Sequence, residues 1–352
     1  MKKVSIVVIN YNGYKDLTDC LSSLGQINSP DYEIIIIDNG STDDSVDLIR
    51  SDFPMFKLIA LPKNYGHSYA CNVAFREAQG DYVLLMDYDT IVGEEWIAPL
   101  LETMECEKNV GICVSRAIFY PAKEKIHSDG GWPHYVGNMT LKNGFALVSK
   151  SECKVEEIGA AGTTSMLVDK RKALEVGGFD EDYFVYLNDF EFSMRMRLAG
   201  YSCFSNPKSI IYHKGGNPDV SYRGEGKYPP LRAFYIFRNR WLTIFKLYSI
   251  KTIIGCLPAL LIYEIAIISM AFIRGLFLTY MKALLSALRN LPQVYRKRKI
   301  VQAMRKISDS ELLTAYPLSF VPGSVGGGLQ GKLVHMMNAL FSWYWKVVKV
   351  IL

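Results

Sequence analysis

Four short apolar runs in the first 90 residues, each followed by Asn or Asp, constrain the fold of this chain more than any other feature. Residues 4–9, 33–37, 56–61 and 82–86 have the length and composition of buried strands. Residues 15–24, 42–52 and 68–78 read as the helices between them, with Ser41 placed to cap the second. Strand-helix alternation of this kind predicts an α/β fold with a mostly parallel sheet covered by helices. Open sheets of that type bind ligands beyond the carboxyl ends of their strands. The polar residues fall at those ends. Asn10 and Asn12 follow the first run, Asp38 and Asn39 the second, Asn64 and Gly66 the third, and Asp87 and Asp89 the fourth. Turn preference accounts for one such end but poorly for four in succession.

The last end is the most specific. In Asp87-Tyr88-Asp89 the carboxylates stand at i and i+2, which on an extended segment point the same way. Hard divalent cations such as Mg²⁺ and Mn²⁺ take oxygen ligands and bridge carboxylates to substrate phosphates, so the pair points to a metal-diphosphate site. No Gly-x-Gly-x-x-Gly follows the first strand, which argues against a nicotinamide dinucleotide site. Gly326 to Lys332 mimics a phosphate-binding loop but lacks the following Ser or Thr, and reads as a linker.

The net charge of +5 conceals an asymmetry: roughly 21 basic against 30 acidic residues up to Gly215, and about 19 against 5 beyond it. A basic tail suits nucleic acid or anionic lipid, and the apolar composition of this one selects lipid. Residues 252–288 are almost continuously apolar, interrupted by Glu264, Arg274 and Lys282, and exceed the roughly 20 residues of a bilayer span. A basic cluster, Arg296-Lys297-Arg298-Lys299, follows, and residues 333–352, with Trp343, Trp345, Lys346 and Lys349, read as an interfacial helix. A true span, helices lying on the surface and a buried helical pair all remain open. Lys2 and Lys3 precede too short an apolar run for a secretory signal, and the seven scattered cysteines, without a Cys-x-x-Cys pair, suit a reducing compartment. The sequons at Asn39 and Asn138 are then idle.

Four blocks occur in order: VSIVVINYNG, IIIIDNGSTDDS, NYGHSYACNVAFREAQGDYVLLMDYDT and VGGFDEDYFVYLNDFEFSMRMRLAGY. Together they resemble glycosyltransferase family 2, with the GT-A fold, over about the first 245 residues; the rhamnosyltransferase-like branch is the nearest resemblance. That resemblance implies a catalytic domain over 1–250, an apolar membrane-associated segment over 251–290, and a basic linker with an interfacial helix over 291–352. Its donor would be a nucleoside diphosphate sugar, UDP- or dTDP-linked, with Mn²⁺ or Mg²⁺ as cofactor. Asp38 would bind base or ribose beside the backbone of Asn10 and Asn12. Asn64, Gly66 and Asn72 would line the nucleotide pocket, Gly66 letting the backbone approach the ligand. Asp87 would reach ribose or metal, and Asp89 would be the main metal ligand. His213, before Gly215-Gly216, would complete the metal or diphosphate site. The plainer readings are a turn for Asn64 to Gly66, helix packing for Asn72 and a helix cap for Asp43.

On the acceptor side the family usually carries Glu-Asp-x-Asp. This chain has Asn188-Asp189-Phe190-Glu191, retaining Asp189 as the implied catalytic base at a helix start, with Glu191 as the second candidate base or an acceptor contact. The implied reaction is inverting transfer of one sugar to a hydroxyl of a lipid-linked or other glycan acceptor at the cytoplasmic face of the cell membrane. Trp132 is a candidate stacking residue, and Arg238-Asn239-Arg240 with Lys246 a candidate contact to diphosphate or headgroups. A processive polysaccharide synthase is the alternative within the class, although Gln293-Val294-Tyr295-Arg296 is followed by Lys297 where those enzymes carry Trp. A catalytically idle sugar-nucleotide-binding scaffold is the alternative outside it.

Overall fold

Val, Ile and Leu fill the first strands, and such side chains suit a pleated surface covered on both faces. The computed structural model describes residues 3–27, 31–215, 227–318 and 328–352. It opens with β1 (Val4–Asn10), α1 (Tyr14–Gly25), β2 (Tyr32–Asp38), α2 (Ser45–Asp52), β3 (Lys57–Ala60), α3 (His67–Glu77) and β4 (Tyr82–Asp87). Next come β5 (Thr90–Val92), α4 (Ile97–Cys106), β6 (Val110–Phe119), β7 (Ile126–Ser128), β8 (Gly131–His134), β9 (Asn138–Leu141), β10 (Glu156–Ile158) and β11 (Ser165–Asp169). Helices α5 (Lys170–Glu175) and α6 (Asn188–Leu198) precede the long β12 (Ser202–His213).

The main sheet runs β10-β12-β6-β11-β4-β1-β2-β3, with β5 added to β12 and β7 to β6. The predicted alternation produces its parallel half: β1 pairs in parallel with β2 and β4, and β2 with β3. The other half is mixed, because β11 lies antiparallel between β4 and β6 while β12 runs parallel to β6. Register then positions the site. Asn10 stands opposite Asp38, and Ile9 opposite Asp87. His213, at the end of β12, stands opposite Thr90 of β5 and Phe119 of β6, which brings it beside the Asp87-Tyr88-Asp89 turn.

Alternate side chains of β1 (Val4, Ile6, Val8) join Leu17, Leu21 and Leu24 of α1 and Leu100 and Met104 of α4 in one core layer. Helix α3 contributes buried Ala70, Val73, Ala74 and Phe75. Phe75 stacks with Phe179, which stacks in turn on Phe192 of α6 with ring centroids 4.3 Å apart. Helix α2 starts at Ser45, three residues later than expected. Ser41 caps nothing: its hydroxyl donates to Asp38 Oδ1 at 2.6 Å and its N–H to Asp38 Oδ2 at 2.9 Å.

Two compact units divide the chain, and residues 132–140, 197–200 and 218–352 form the second. It contains α7 (Pro230–Leu247), α8 (Ile250–Ile273), α9 (Phe277–Ala303), α10 (Asp309–Leu312) and α11 (Leu329–Val348), so α7 belongs with the C-terminal helices. Glu264, the charge inside the apolar stretch, accepts from Arg240 Nη1 at 2.5 Å, Tyr280 Oη at 2.6 Å and Trp241 Nε1 at 3.3 Å. Arg240 and Lys246 are buried and Arg238 nearly so, hence this triplet is interior to the unit rather than a contact to headgroups. Arg298 is also committed, donating to the carbonyls of Phe245 and Tyr248 at the end of α7. Trp132 packs against Tyr316, with centroids 5.3 Å apart.

The apolar stretch divides at Arg274–Leu276 into α8 and α9. By length and composition, α8 alone among the described residues suffices to cross a membrane, with a mean hydropathy of 2.2 and a third of its apolar window buried. Ile254, Leu257, Leu261 and Ile265 of α8 are exposed, as are Leu333, Met336, Leu340, Trp343 and Val347 of α11, each set at helical spacing. The opposite side of α11 is buried through Phe341, Trp345 and Val348. Gly216 and the stretch Gly326-Gly327 lie outside the described residues.

Candidate active site

At the carboxyl edge of the parallel strands, Asp87, Asp89 and His213 offer two carboxylate oxygens and one imidazole nitrogen, all within 4.8 Å of one another. His213 Nε2 lies 3.0 Å from Asp89 Oδ2, which also accepts the N–H of Gly215 at 2.9 Å. The Lys214 N–H donates to the Asp89 carbonyl at 2.9 Å, fixing the turn against the end of β12. Burial raises the Asp89 carboxyl, but His213 and the hydrogen bonds to its oxygens outweigh it and hold the group below the usual carboxylate range. An ionised, buried carboxylate next to an imidazole is a donor set that Mn²⁺ or Mg²⁺ accepts, the nitrogen favouring Mn²⁺.

Asp189, in the first turn of α6, accepts from the Phe190 N–H at 2.8 Å. Burial pushes its carboxyl above the usual range against that hydrogen bond and the nearby His67, and the charge of Asp87 adds to the rise. Glu191 is different. It is fully buried, and Arg195 grips both oxygens, Nε to Oε1 at 2.5 Å and Nη2 to Oε2 at 2.9 Å, while donating also to the carbonyls of Val176 and Gly178. That geometry makes Glu191 a brace of α6, the reverse of what a base at this position would need.

His67, which no spacing in the sequence marks, links the two carboxylate groups. Asn188 Nδ2 donates to its Nδ1 at 2.9 Å, and its Nε2 lies 3.5 Å from Asp87 Oδ1. The family departure at Asn188 thereby acquires a partner, since an amide donates where the usual Glu carboxylate only accepts. The residues before it are bent: Phe184, Tyr186 and Leu187 all take left-handed φ, of 59°, 62° and 56°. Phe184 packs on Gly66, where an added Cβ would come within 2.6 Å of its ring. Gly66, with φ 93°, is therefore required by Phe184 itself, and no ligand is needed to explain it.

Asp38 is buried and receives Asn10 Nδ2 at 2.7 Å besides Ser41. Asn12, at φ 51°, accepts from the Thr42 N–H through its Oδ1 at 2.8 Å, and its own N–H donates to Ser41 Oγ at the same distance. Asn64 Oδ1 accepts from Gly66 N–H at 2.8 Å and Asn39 Nδ2 at 3.1 Å, shaping the third strand end. Asn72 is a clasp: it donates to the Phe179 carbonyl and Glu181 Oε1 and accepts from the Phe179 N–H. Its amide is fully used away from the strand ends, as the packing reading expects. Asp43 accepts from the Ser45 N–H and hydroxyl and from the Tyr14 N–H, tying the starts of α2 and α1 together, while the N-cap position of α2 falls to Asp44.

Residues 5–151 match the family described as Glycosyl transferase family 2, and residues 82–316 match Glycosyl transferase family group 2. The chain belongs to glycosyl transferase family group 2. It is 31% identical over 115 residues to Uncharacterized glycosyltransferase YfnE of Bacillus subtilis, covering 32% of this chain and 29% of that protein. It is 23% identical over 212 residues to Poly-beta-1,6-N-acetyl-D-glucosamine synthase of Staphylococcus epidermidis, covering 59% of this chain and 49% of the synthase. The chain thus spans about half or less of the relatives it matches. A crystal structure of GalNAc-T7 with UDP, GalNAc and Mn2+ superposes with a TM-score of 0.56 at 16% identity, over 74% of this chain and 51% of that one, and supports the GT-A type of fold.

Proposed function

We propose that this family group 2 protein is an inverting, metal-dependent glycosyltransferase that moves one sugar from a nucleoside diphosphate sugar, UDP- or dTDP-linked, to an acceptor hydroxyl. One observation carries the reading: three carboxylates, Asp87, Asp89 and Asp189, converge on the end of the parallel sheet, with the imidazoles of His67 and His213 beside them. Such a surplus of negative charge suits a cation and a reacting hydroxyl better than a folded core.

Asp89, Asp87 and His213 would hold Mn²⁺ or Mg²⁺, which when bound neutralises charge on the departing diphosphate. Asp38 and the backbone near Asn10 and Asn12 would hold the nucleoside, with the Asn64 turn alongside. Asp189 takes the acceptor proton, and its raised carboxyl makes it a stronger base near neutral pH than an ordinary Asp. A single displacement inverts the anomeric carbon and needs no second carboxylate as nucleophile, in keeping with the commitment of Glu191 to Arg195.

The acceptor we infer is a lipid-linked glycan at the cytoplasmic face of the membrane. Support comes from the exposed apolar stripes of α8 and α11, each bordered by basic residues of a tail with few acids. Similarity to a named polysaccharide synthase favours processive synthesis as the second reading, and product length separates the two. Purified protein incubated with a panel of UDP- and dTDP-sugars and Mn²⁺ or Mg²⁺ is expected to hydrolyse or transfer one of them, and Asp89→Asn to abolish this. No turnover with any donor, or an Asp89→Asn variant as active as wild type, would sink the reading.

A further inference from the structure

His127 has no motif around it, yet its backbone is built to aim it. Strand β7 pairs with β6 through Ala117 opposite Ser128 and Ile118 opposite Ile126, so His127 is the extra residue of a β-bulge. Bulges redirect one side chain out of the regular alternation and recur beside active sites. Here the imidazole lies against Phe119, with centroids 4.9 Å apart, and over His213, with centroids 4.7 Å apart and planes 31° from parallel. Phe145 stacks behind Phe119 at 5.3 Å. The two Nδ1 atoms, from residues 86 positions apart, are separated by 3.0 Å.

Two imidazole nitrogens at that distance form one hydrogen bond, in which one donates and the other accepts. His213 turns its Nε2 towards Asp89. A cation on that nitrogen takes its lone pair, leaving Nδ1–H as a donor that needs an acceptor. We propose that His127 is the positioning residue of the cation site: its Nδ1 accepts from His213 Nδ1–H and fixes the tautomer and ring plane that present Nε2 to the metal. Without a cation, His213 Nε2–H donates to Asp89 and the roles of the two Nδ1 atoms reverse, so the same pair serves both states. The inference rests on the metal-site reading above and adds a residue outside its ligand set.

The test is a calorimetric titration of Mn²⁺ into the full chain without donor or acceptor. Three variants divide the outcomes. His127→Phe keeps the ring contacts but cannot accept, His127→Asn places an amide oxygen near the position of Nδ1, and His127→Gln carries its amide one bond further. Wild type is expected to bind Mn²⁺, His127→Phe and His127→Gln to weaken the dissociation constant by about 10- to 100-fold, and His127→Asn to stay close to wild type. Should His127→Phe fail to fold, the contrast between His127→Asn and His127→Gln carries the same decision. Equal affinity in wild type and the Phe or Gln variants, or an Asn variant as weak as Gln, overturns the role of His127 while leaving the metal site standing. Absence of Mn²⁺ binding by wild type, unchanged by Asp89→Asn, overturns both.

Discussion

Buried charge is handled in opposite ways in two regions of this molecule. Within the C-terminal helices, Arg240 meets Glu264 and Arg305 meets Asp309 at 2.7 Å, with neutral donors filling the remaining positions. At the carboxyl edge of the sheet, Asp87, Asp89 and Asp189 lie together with two imidazoles. A matched pair is architecture, because removing one partner strands the other in a low-dielectric interior. An excess of one sign is costly unless a ligand supplies the opposite charge, which makes the sheet edge the place for chemistry.

Neutralising Asp189 should give the largest effect of breaking that contrast. Asp189→Asn is expected to lower kcat by about 100- to 10,000-fold with little change in donor affinity, measured by steady-state transfer and nucleotide titration. Undiminished turnover would remove Asp189 from the chemistry. The neighbouring acid should behave oppositely. Glu191→Gln leaves Arg195 buried and unpaired, so a loss of about 3 to 5 kcal/mol in unfolding free energy is expected, with kcat per folded molecule retained. Chemical denaturation alongside active-site-normalised kinetics separates stability from catalysis.

The C-terminal region supplies the matching control. Glu264→Gln should destabilise by a similar or smaller amount, since Tyr280 and Trp241 can still bond the amide oxygen, whereas Arg240→Met with Glu264→Leu should recover most of the loss. A double variant no more stable than the single one would mean the pair is more than a balanced charge. The smallest effect is in pH dependence. Burial lifts the Asp189 carboxyl, which is active when ionised, so activity is lost as pH falls through its raised value. The acid limb of kcat/KM should therefore lie above the ordinary Asp value of about 3.9 and vanish in Asp189→Asn, read from a pH-rate profile.

Much of the parallel half was legible because each strand is continuous in sequence and its polar end follows directly: Asn10, Asp38 and Asp87 needed only the strand period to be aligned. The mixed half was less so. Strand β6 carries Ser115 and Arg116 inside its apolar run, and the antiparallel insertion of β11 between β4 and β6 depends on pairing that no local pattern encodes. Among site residues, Asp89 stood out through its block and His213 through the resemblance those blocks carry, but His67 and His127 did not. A single histidine carries no periodicity, and their partners, Asn188 and His213, lie 121 and 86 residues away. Glu191 misled for the converse reason: a carboxylate two positions after a candidate base looks catalytic until Arg195, one helical turn on, is seen to hold it. Gly66 likewise suggested a ligand where Phe184 fills the space.

The central claim is that the sheet edge holds a divalent cation against a nucleoside diphosphate. Its most direct test is calorimetric binding of UDP and dTDP to the full chain with Mn²⁺ and again with EDTA, for wild type and Asp89→Asn. Strong metal-dependent binding of one nucleotide by wild type, lost in EDTA and in Asp89→Asn, is the predicted result; nucleotide affinity indifferent to both would contradict it.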